Sequence, residues 1–270
     1  MGATLATRPL ILALSCVVLA GTAAAQDGDD ASAQAARWES LKQSIFGQRT
    51  LLDSGGVVEL ETPQRALDAA LVPITVKFAG GERIKDLYVV IDMNPAPLAS
   101  HFSFGPEADP RVLKMRVRVN QYTNVHAIAE TASGRLYVTQ KYVKAAGGCS
   151  APAGPSDEAA LAGLGEMRLH LLGAASPGAP AQAQLMIRHP NFNGMQMNQL
   201  TQIYTPARYI KTIDVTYGGG RVFHLDSDIS LSTDPVITFG FTPKEKGQLE
   251  VVAHDSAQAV FKQRFDVPAG

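Results

Sequence analysis

The stretch Leu113–Asn120, LKMRVRVN, alternates without a break: Leu113, Met115, Val117 and Val119 on one side, Lys114, Arg116 and Arg118 on the other. Only a strand puts every second residue on one face, and a strand with one apolar face has to bury it against another layer. The same period of two runs through Val72, Ile74, Val76 and Phe78 in VPITVKF, and through Leu87, Val89, Ile91 and Met93 in IKDLYVVIDM. HFSFGP, NVHAIAE and GRLYVTQKYVK add short strands, with Gly, Pro and Asp turns between them. Strands of this length at this spacing predict an antiparallel sandwich. A second alternating region opens at EMRLHLLG and runs through AQLMIRH, RYIKTIDVTY, RVFHLD, DPVITFGFTP, GQLEVVAHD and AVFKQRFDV. Within it, TYGGGRVF reads as a hairpin whose glycines accept positive φ. HFSFGP and TFGFTP echo each other, either as the trace of a duplication or as two unrelated strands of similar make-up.

Between the two regions, residues 150–165, SAPAGPSDEAALAGLG, are small and nearly free of large apolar groups, which predicts a flexible linker. Helical spacing is confined to RWESLKQSIFG, with Trp38, Leu41, Ile45 and Phe46 on one stripe and Gly47 as a stop. The polar run 26–36, QDGDDASAQAA, is expected to be disordered. Residues 1–25 combine Arg8, an apolar run from Leu10 to Ala20 and the small trio Ala23, Ala24 and Ala25. That pattern predicts a secretory signal peptide cut after Ala25, with an apolar run too short to span a bilayer. The expected product is a periplasmic protein with no membrane insertion once the signal is gone. The fold class expected is all-β: domains at 37–149 and 166–270, with a short N-terminal helix.

Formal net charge is −1, so no electrostatic pull toward nucleic acid or anionic membrane is expected. Of the two cysteines, Cys16 lies in the export segment, as a small hydrophobe or, alternatively, as a lipoprotein anchor. The exported chain then keeps one thiol, Cys149 in KAAGGCSAPAGP, and an odd thiol in an oxidising compartment points to reactive use or intermolecular pairing. Gly147 and Gly148 leave the sulfur sterically open and the backbone free to swivel, and Lys141 and Lys144 favour a thiolate. The plainer reading is a leftover cysteine in a spacer.

For the other candidates the structural alternative is the stronger reading. His189, Met195 and Met197 in RHPNFNGMQM form a soft set for copper(I), or pack under a sheet. Arg116 and Arg118 line an anion site, or face solvent. Asp226–Asp228 is a solvated turn, and Ser103 has no partner histidine or acid assignable from sequence. No nucleophile elbow, phosphate loop, dinucleotide fingerprint, zinc or haem motif is present. No enzyme activity, cofactor or metal is therefore expected.

On these residues the chain resembles the SoxY and SoxZ families. The SoxY likeness runs from RWESLKQSIFG through VPITVKF, VVIDMNPAPLASHFSFGP and RVRVNQYTNVHAIAET to GRLYVTQKYVKAAGGC. The SoxZ likeness includes IRHPNFNGM and ARYIKTIDVTYGGGRVFHLDSDISLSTDPVITFGF. The resemblance implies two immunoglobulin-like sandwiches packed on each other, and a carrier that holds sulfur intermediates covalently on Cys149, with Gly147 and Gly148 as its flexible arm. It also implies partners among periplasmic enzymes of a Sox-like system or a quinoprotein dehydrogenase and cytochrome c system. In SoxY the Gly-Gly-Cys arm closes the chain; here GGCSAPAGP runs on into the second domain, so the thiol is expected on a loop. The rival class is an adaptor or assembly factor for a quinoprotein dehydrogenase with an idle arm, and a copper chaperone is a third reading.

Overall fold

The computed structural model describes residues 2, 23–79, 81–152, 156–198 and 201–268. Most of the expected signal segment lies outside the described residues. The first half contains α1 (Ala23–Phe46), β1 (Leu51–Asp53), β2 (Val58–Glu61), β3 (Val72–Phe78), β4 (Ile84–Ile91), β5 (Leu98–Phe104), β6 (Val112–Val117), β7 (Thr123–Thr131) and β8 (Leu136–Val143). The second contains α2 (Asp157–Leu161), β9 (Met167–Leu171), β10 (Ala181–Ile187), β11 (Ile210–Tyr217), β12 (Gly220–Ser227), β13 (Val236–Phe241), β14 (Gly247–Asp255) and β15 (Val260–Val267). Each alternating run of the sequence forms a strand. In β3, Val72, Ile74, Val76 and Phe78 are buried and the residues between them face outward.

Two sheets result, one ordered β1-β8-β7-β4-β5-β12-β11-β14-β15, the other β2-β3-β6-β13-β10-β9. Both cross from one half of the chain to the other. Cut at β5/β12 and β6/β13, each half is an immunoglobulin-like sandwich of three strands facing four, with β1 added at one edge. Read outward from the cut, β5-β4-β7-β8 mirrors β12-β11-β14-β15, and β6-β3-β2 mirrors β13-β10-β9. The two halves therefore repeat one topology. The HFSFGP and TFGFTP echo is not part of that repeat: it falls on β5 and at the end of β13, which are not counterparts.

The seam between halves is unequal in the two layers. In the larger sheet, β5 and β12 pair from Phe104↔Phe223 to Ser100↔Ser227. In the smaller, β6 and β13 meet in register only at Lys114↔Thr238, with isolated bridges at Ala108↔Phe241 and Val117↔Leu231. One apolar core runs under both: Phe102 meets Phe223 at 5.5 Å between ring centroids, and Phe223 meets Phe239 at 5.1 Å. The expected packing of the two sandwiches on each other takes the form of shared sheets and a shared interior.

The segment 26–36, expected to be disordered, is helical as part of α1. It is rich in alanine and has no proline, and a docked helix costs little to extend through such residues because nucleation is already met. Docking comes from the predicted stripe: Leu41 and Phe46 are buried against Val90, Ile128 and Leu136 on the outer face of the larger sheet. Trp38 stacks on His126 at 3.7 Å, and Arg37 Nε donates to the carbonyl of Asp92. Among the described residues no helix is long and apolar enough to cross a membrane.

The expected loose linker is also partly ordered. Ser156 caps α2 by accepting from the amide of Ala159, Ala160 is buried, and Thr205 Oγ1 donates to Asp157. The three-glycine hairpin forms as predicted: Gly218 and Gly219 take φ of +56° and +85°, and Tyr217 pairs with Gly220.

Candidate functional site: a buried cysteine at the seam

After β8 the chain is clamped before it reaches the cysteine. Lys144 exchanges backbone hydrogen bonds with the loop 62–71, through Gln64 and Ala66. Next, the amides of Gly147 and Gly148 donate to the carbonyls of Asn120 and Val119, at 2.9 and 3.0 Å, along the segment that follows β6. Val119 in turn donates to Ala69. A tight turn follows, in which both the amide and the hydroxyl of Ser150 donate to the carbonyl of Gly147. Cys149 sits in this turn and is 1% exposed.

That placement overturns the expectation of an open, swivelling thiol. Gly147 adopts φ +78°, a conformation open to few other residues. At Gly148 a Cβ would lie 2.0 Å from the carbonyl oxygen of Ala69 and 2.6 Å from that of Val119. This glycine allows close backbone packing, not free rotation. The second domain closes the site: Asn193 Nδ2 donates to the carbonyl of Cys149 at 2.6 Å, and Gln196 Nε2 to that of Ala151 at 2.8 Å. Asn193 and Gln196 belong to a hairpin-like loop held by the Thr205 amide on Gln196 and a bridge between Met197 and Tyr204.

Arg118 lies beside the cysteine turn and joins the two halves. Its side chain is 0% exposed, although alternation put it on the polar face of its strand. Nη1 donates to the carbonyl of Gly148 at 3.2 Å, while Nη2 reaches Thr233 Oγ1 at 2.6 Å and the carbonyls of Pro190 and Asn191 at 3.4 Å. Nε has no partner. Burial pushes the Cys149 thiol above its ordinary range, and the Arg118 charge pulls it part of the way back. Burial likewise lowers Arg118. Arg118, and not Lys141 or Lys144, is the cation that acts on the sulfur. Sequence reasoning placed Arg118 on the right strand face but not in the interior, because the residues that cover it lie more than 70 positions further on.

Arg116, its neighbour on that face, lines a cleft of about 280 Å³ with Asp68, Ala151, Pro152, Thr233 and Asp234, and its Nε is also without a partner. His189 is fully buried, accepting from the amide of Asn191 at Nδ1 with Nε2 3.6 Å from Asp255, so its ring is committed within the fold. Among the described residues no group of three or more His, Cys, Asp or Glu is placed to hold a metal. Ser103 donates to Asp86, which also meets His101 at 3.1 Å; the acid stands between hydroxyl and imidazole, the wrong order for a charge-relay nucleophile. Asp226 is on β12, beside His101 and His224, and not in a turn.

The family comparisons agree with this division of the chain. Residues 42–149 match the model of the sulfur oxidation protein SoxY, and residues 167–266 that of the sulphur oxidation protein SoxZ. The SoxY match ends on Cys149. No curated protein matches the chain. Among solved structures, the sulfur carrier protein SoxY from Chlorobium limicola f thiosulfatophilum is 20% identical, with 44% of this chain and 99% of that one covered and a TM-score of 0.38. A superoxide reductase (neelaredoxin) from Ignicoccus hospitalis is 12% identical over 43% of this chain and 88% of its own, with a TM-score of 0.29. A β-glycosidase from Bacteroides vulgatus is 10% identical over 78% of this chain and 24% of its own, with a TM-score of 0.24. The chain belongs to the SoxY and SoxZ families, one domain of each joined in a single polypeptide.

Proposed function

We propose that this protein is a non-catalytic carrier of the periplasm that holds sulfur-containing intermediates covalently on Cys149 and presents them to partner enzymes of a Sox-like or quinoprotein dehydrogenase and cytochrome c system. The observation that carries the reading is the place of the thiol. It stands at the last residue of the SoxY match, in a turn pinned to the SoxZ domain by the side-chain hydrogen bonds of Asn193 and Gln196. Each such bond contributes about 0.5–1.5 kcal/mol net. Releasing the turn is therefore within reach of thermal opening or of a docking partner, while the folded sandwiches stay intact. Seated, the sulfur is protonated and shielded from oxidants; released, it returns to an ordinary thiol range and becomes nucleophilic.

The test is intact mass on protein purified from the periplasm of growing cells without thiol reagents. A mass beginning at Gln26, with an increment at Cys149 that reductant removes and Cys149→Ser lacks, is the expected result. Protein that never carries such an increment sinks the carrier.

Burial of Cys149 favours a second reading, in which the arm is idle and the protein is an adaptor for a quinoprotein dehydrogenase system. Cys149→Ser at normal abundance separates the two. Unchanged growth on the relevant substrate and unchanged partner binding would support the adaptor.

A further inference from the structure

We infer that Arg118 is the counter-ion of the group carried on Cys149, a positioning residue through which the charge at the sulfur sets how firmly the arm is seated. The inference rests on the carrier reading for its biological meaning, but its physical basis is independent. Arg118 heads the largest fully buried side chains of the described residues. All its acceptors are neutral: the carbonyls of Gly148, Pro190 and Asn191 and the hydroxyl of Thr233. Among the described residues no carboxylate is within ion-pair distance of it, and Nε is unpaired. A guanidinium held this way has given up its hydration without gaining a directly paired partner of opposite charge, which is costly.

The ionisable groups that act on it are Cys149 and, from the loop before β3, Asp68. A neutral thiol leaves the cation compensated only in part, by Asp68, so the unloaded arm is held less firmly than one that carries an anion. A group ending in an anion removes the imbalance and tightens every contact that Arg118 makes on both halves. The neighbouring cleft has room for a small polar group; Arg116 adds a second unpaired Nε there and Thr233 is shared with Arg118, while Asp68 and Asp234 also line it.

The experiment attaches ethyl groups ending in sulfonate, hydroxyl or trimethylammonium to Cys149 of the full chain, using the matching methanethiosulfonates. In each reaction the thiolate attacks the sulfenyl sulfur, methanesulfinate leaves with the electron pair of the broken bond, and the thiol proton passes to solvent. Intact mass then follows release of each group by dithiothreitol, expressed as protection relative to the same adduct on denaturant-unfolded protein. That ratio cancels the intrinsic charge effect of the reductant.

The expected order is sulfonate over hydroxyl over trimethylammonium, with about tenfold between the extremes, equivalent to about 1.4 kcal/mol. Arg118→Gln should abolish the order, Arg118→Lys should restore it, and Arg116→Gln should leave most of it. Equal protection of the three adducts in the wild type overturns the inference, as does an order that survives Arg118→Gln. Should Arg118→Gln fail to fold, the wild-type series and its retention in Arg118→Lys decide the matter. Failure here leaves loading of Cys149 in cells untouched, and cells that never load Cys149 leave this charge order untouched.

Discussion

Gly148 has a carbonyl oxygen on each side of the place where a Cβ would stand. Neither belongs to a movable side chain, so Gly148→Ala forces the turn outward. The expected outcome is at least tenfold faster alkylation of Cys149 by iodoacetamide, with a stability loss of about 1–3 kcal/mol from overpacking, read by denaturant melts. Unchanged alkylation would mean that the turn re-seats around the methyl group. Burial also sets the pH profile of the sulfur. Because burial holds the thiol neutral, alkylation of the wild type should climb only at pH above the ordinary thiol range of about 8.5. Asn193→Ala, which removes the bond to the Cys149 carbonyl, should move that profile to lower pH; identical profiles would show that Asn193 does not hold the turn. The sequence singled out Cys149 as the thiol in a Gly-Gly-Cys run. Its burial was not legible there, because Asn193, Gln196 and Thr233 supply it from the other half of the chain.

Strands β5 and β12 carry on their outer face a row of alternating imidazoles and carboxylates. Asp226 lies between His101 and His224, and Asp214 on β11 meets His224 Nδ1 at 2.8 Å. With both ring nitrogens facing carboxylates, His224 is best satisfied when protonated. Burial acts to lower its pKa, but the bonds to Asp214 and Asp226 and their charges outweigh it and raise it. A histidine raised on folding adds stability that is complete below its unfolded value of about 6.5 and is lost as pH rises through the folded one. As pH rises above about 6.5 the melting temperature should therefore fall, and His224→Gln should flatten that fall; equal slopes would remove His224 from the seam's energetics. Below that pH His189, whose pKa burial lowers, works the other way. At this scale the sequence was most readable. A period of two needs only neighbours along the chain, and each alternating run is a strand. The exceptions are informative: β4 is buried at Val90 as well as Val89 because α1 covers its outer face, a fact about packing that no strand pattern contains.

The molecule as a whole is held across the seam by strand pairing at β5/β12, by the core that includes Phe102, Phe223 and Phe239, and by Arg118. None of these depends on the covalent link between the halves. Cleavage at a protease site introduced between Pro152 and Ser156 should leave the two pieces together on gel filtration, with one cooperative melt at a slightly lower temperature. Pieces that separate at micromolar concentration would show that the tether, and not the seam, maintains the pair. The break in alternation at 150–165 separates two runs of strands in the sequence, but their merger into common sheets was not legible there, since either edge strand reads locally like any other.

Because the repeat relates each strand from β2 to β8 to one seven places later, the two halves meet through corresponding edges, and among the described residues no strand of either sheet comes from between Cys149 and Glu166. Side chains tie the two described ends of that stretch to the second half all the same: Asn193 and Gln196 hold the cysteine turn, and Thr205 holds the start of α2. A circular permutant opened between Pro152 and Ser156 would therefore turn the segment after Cys149 into a short tail while both sheets stay closed.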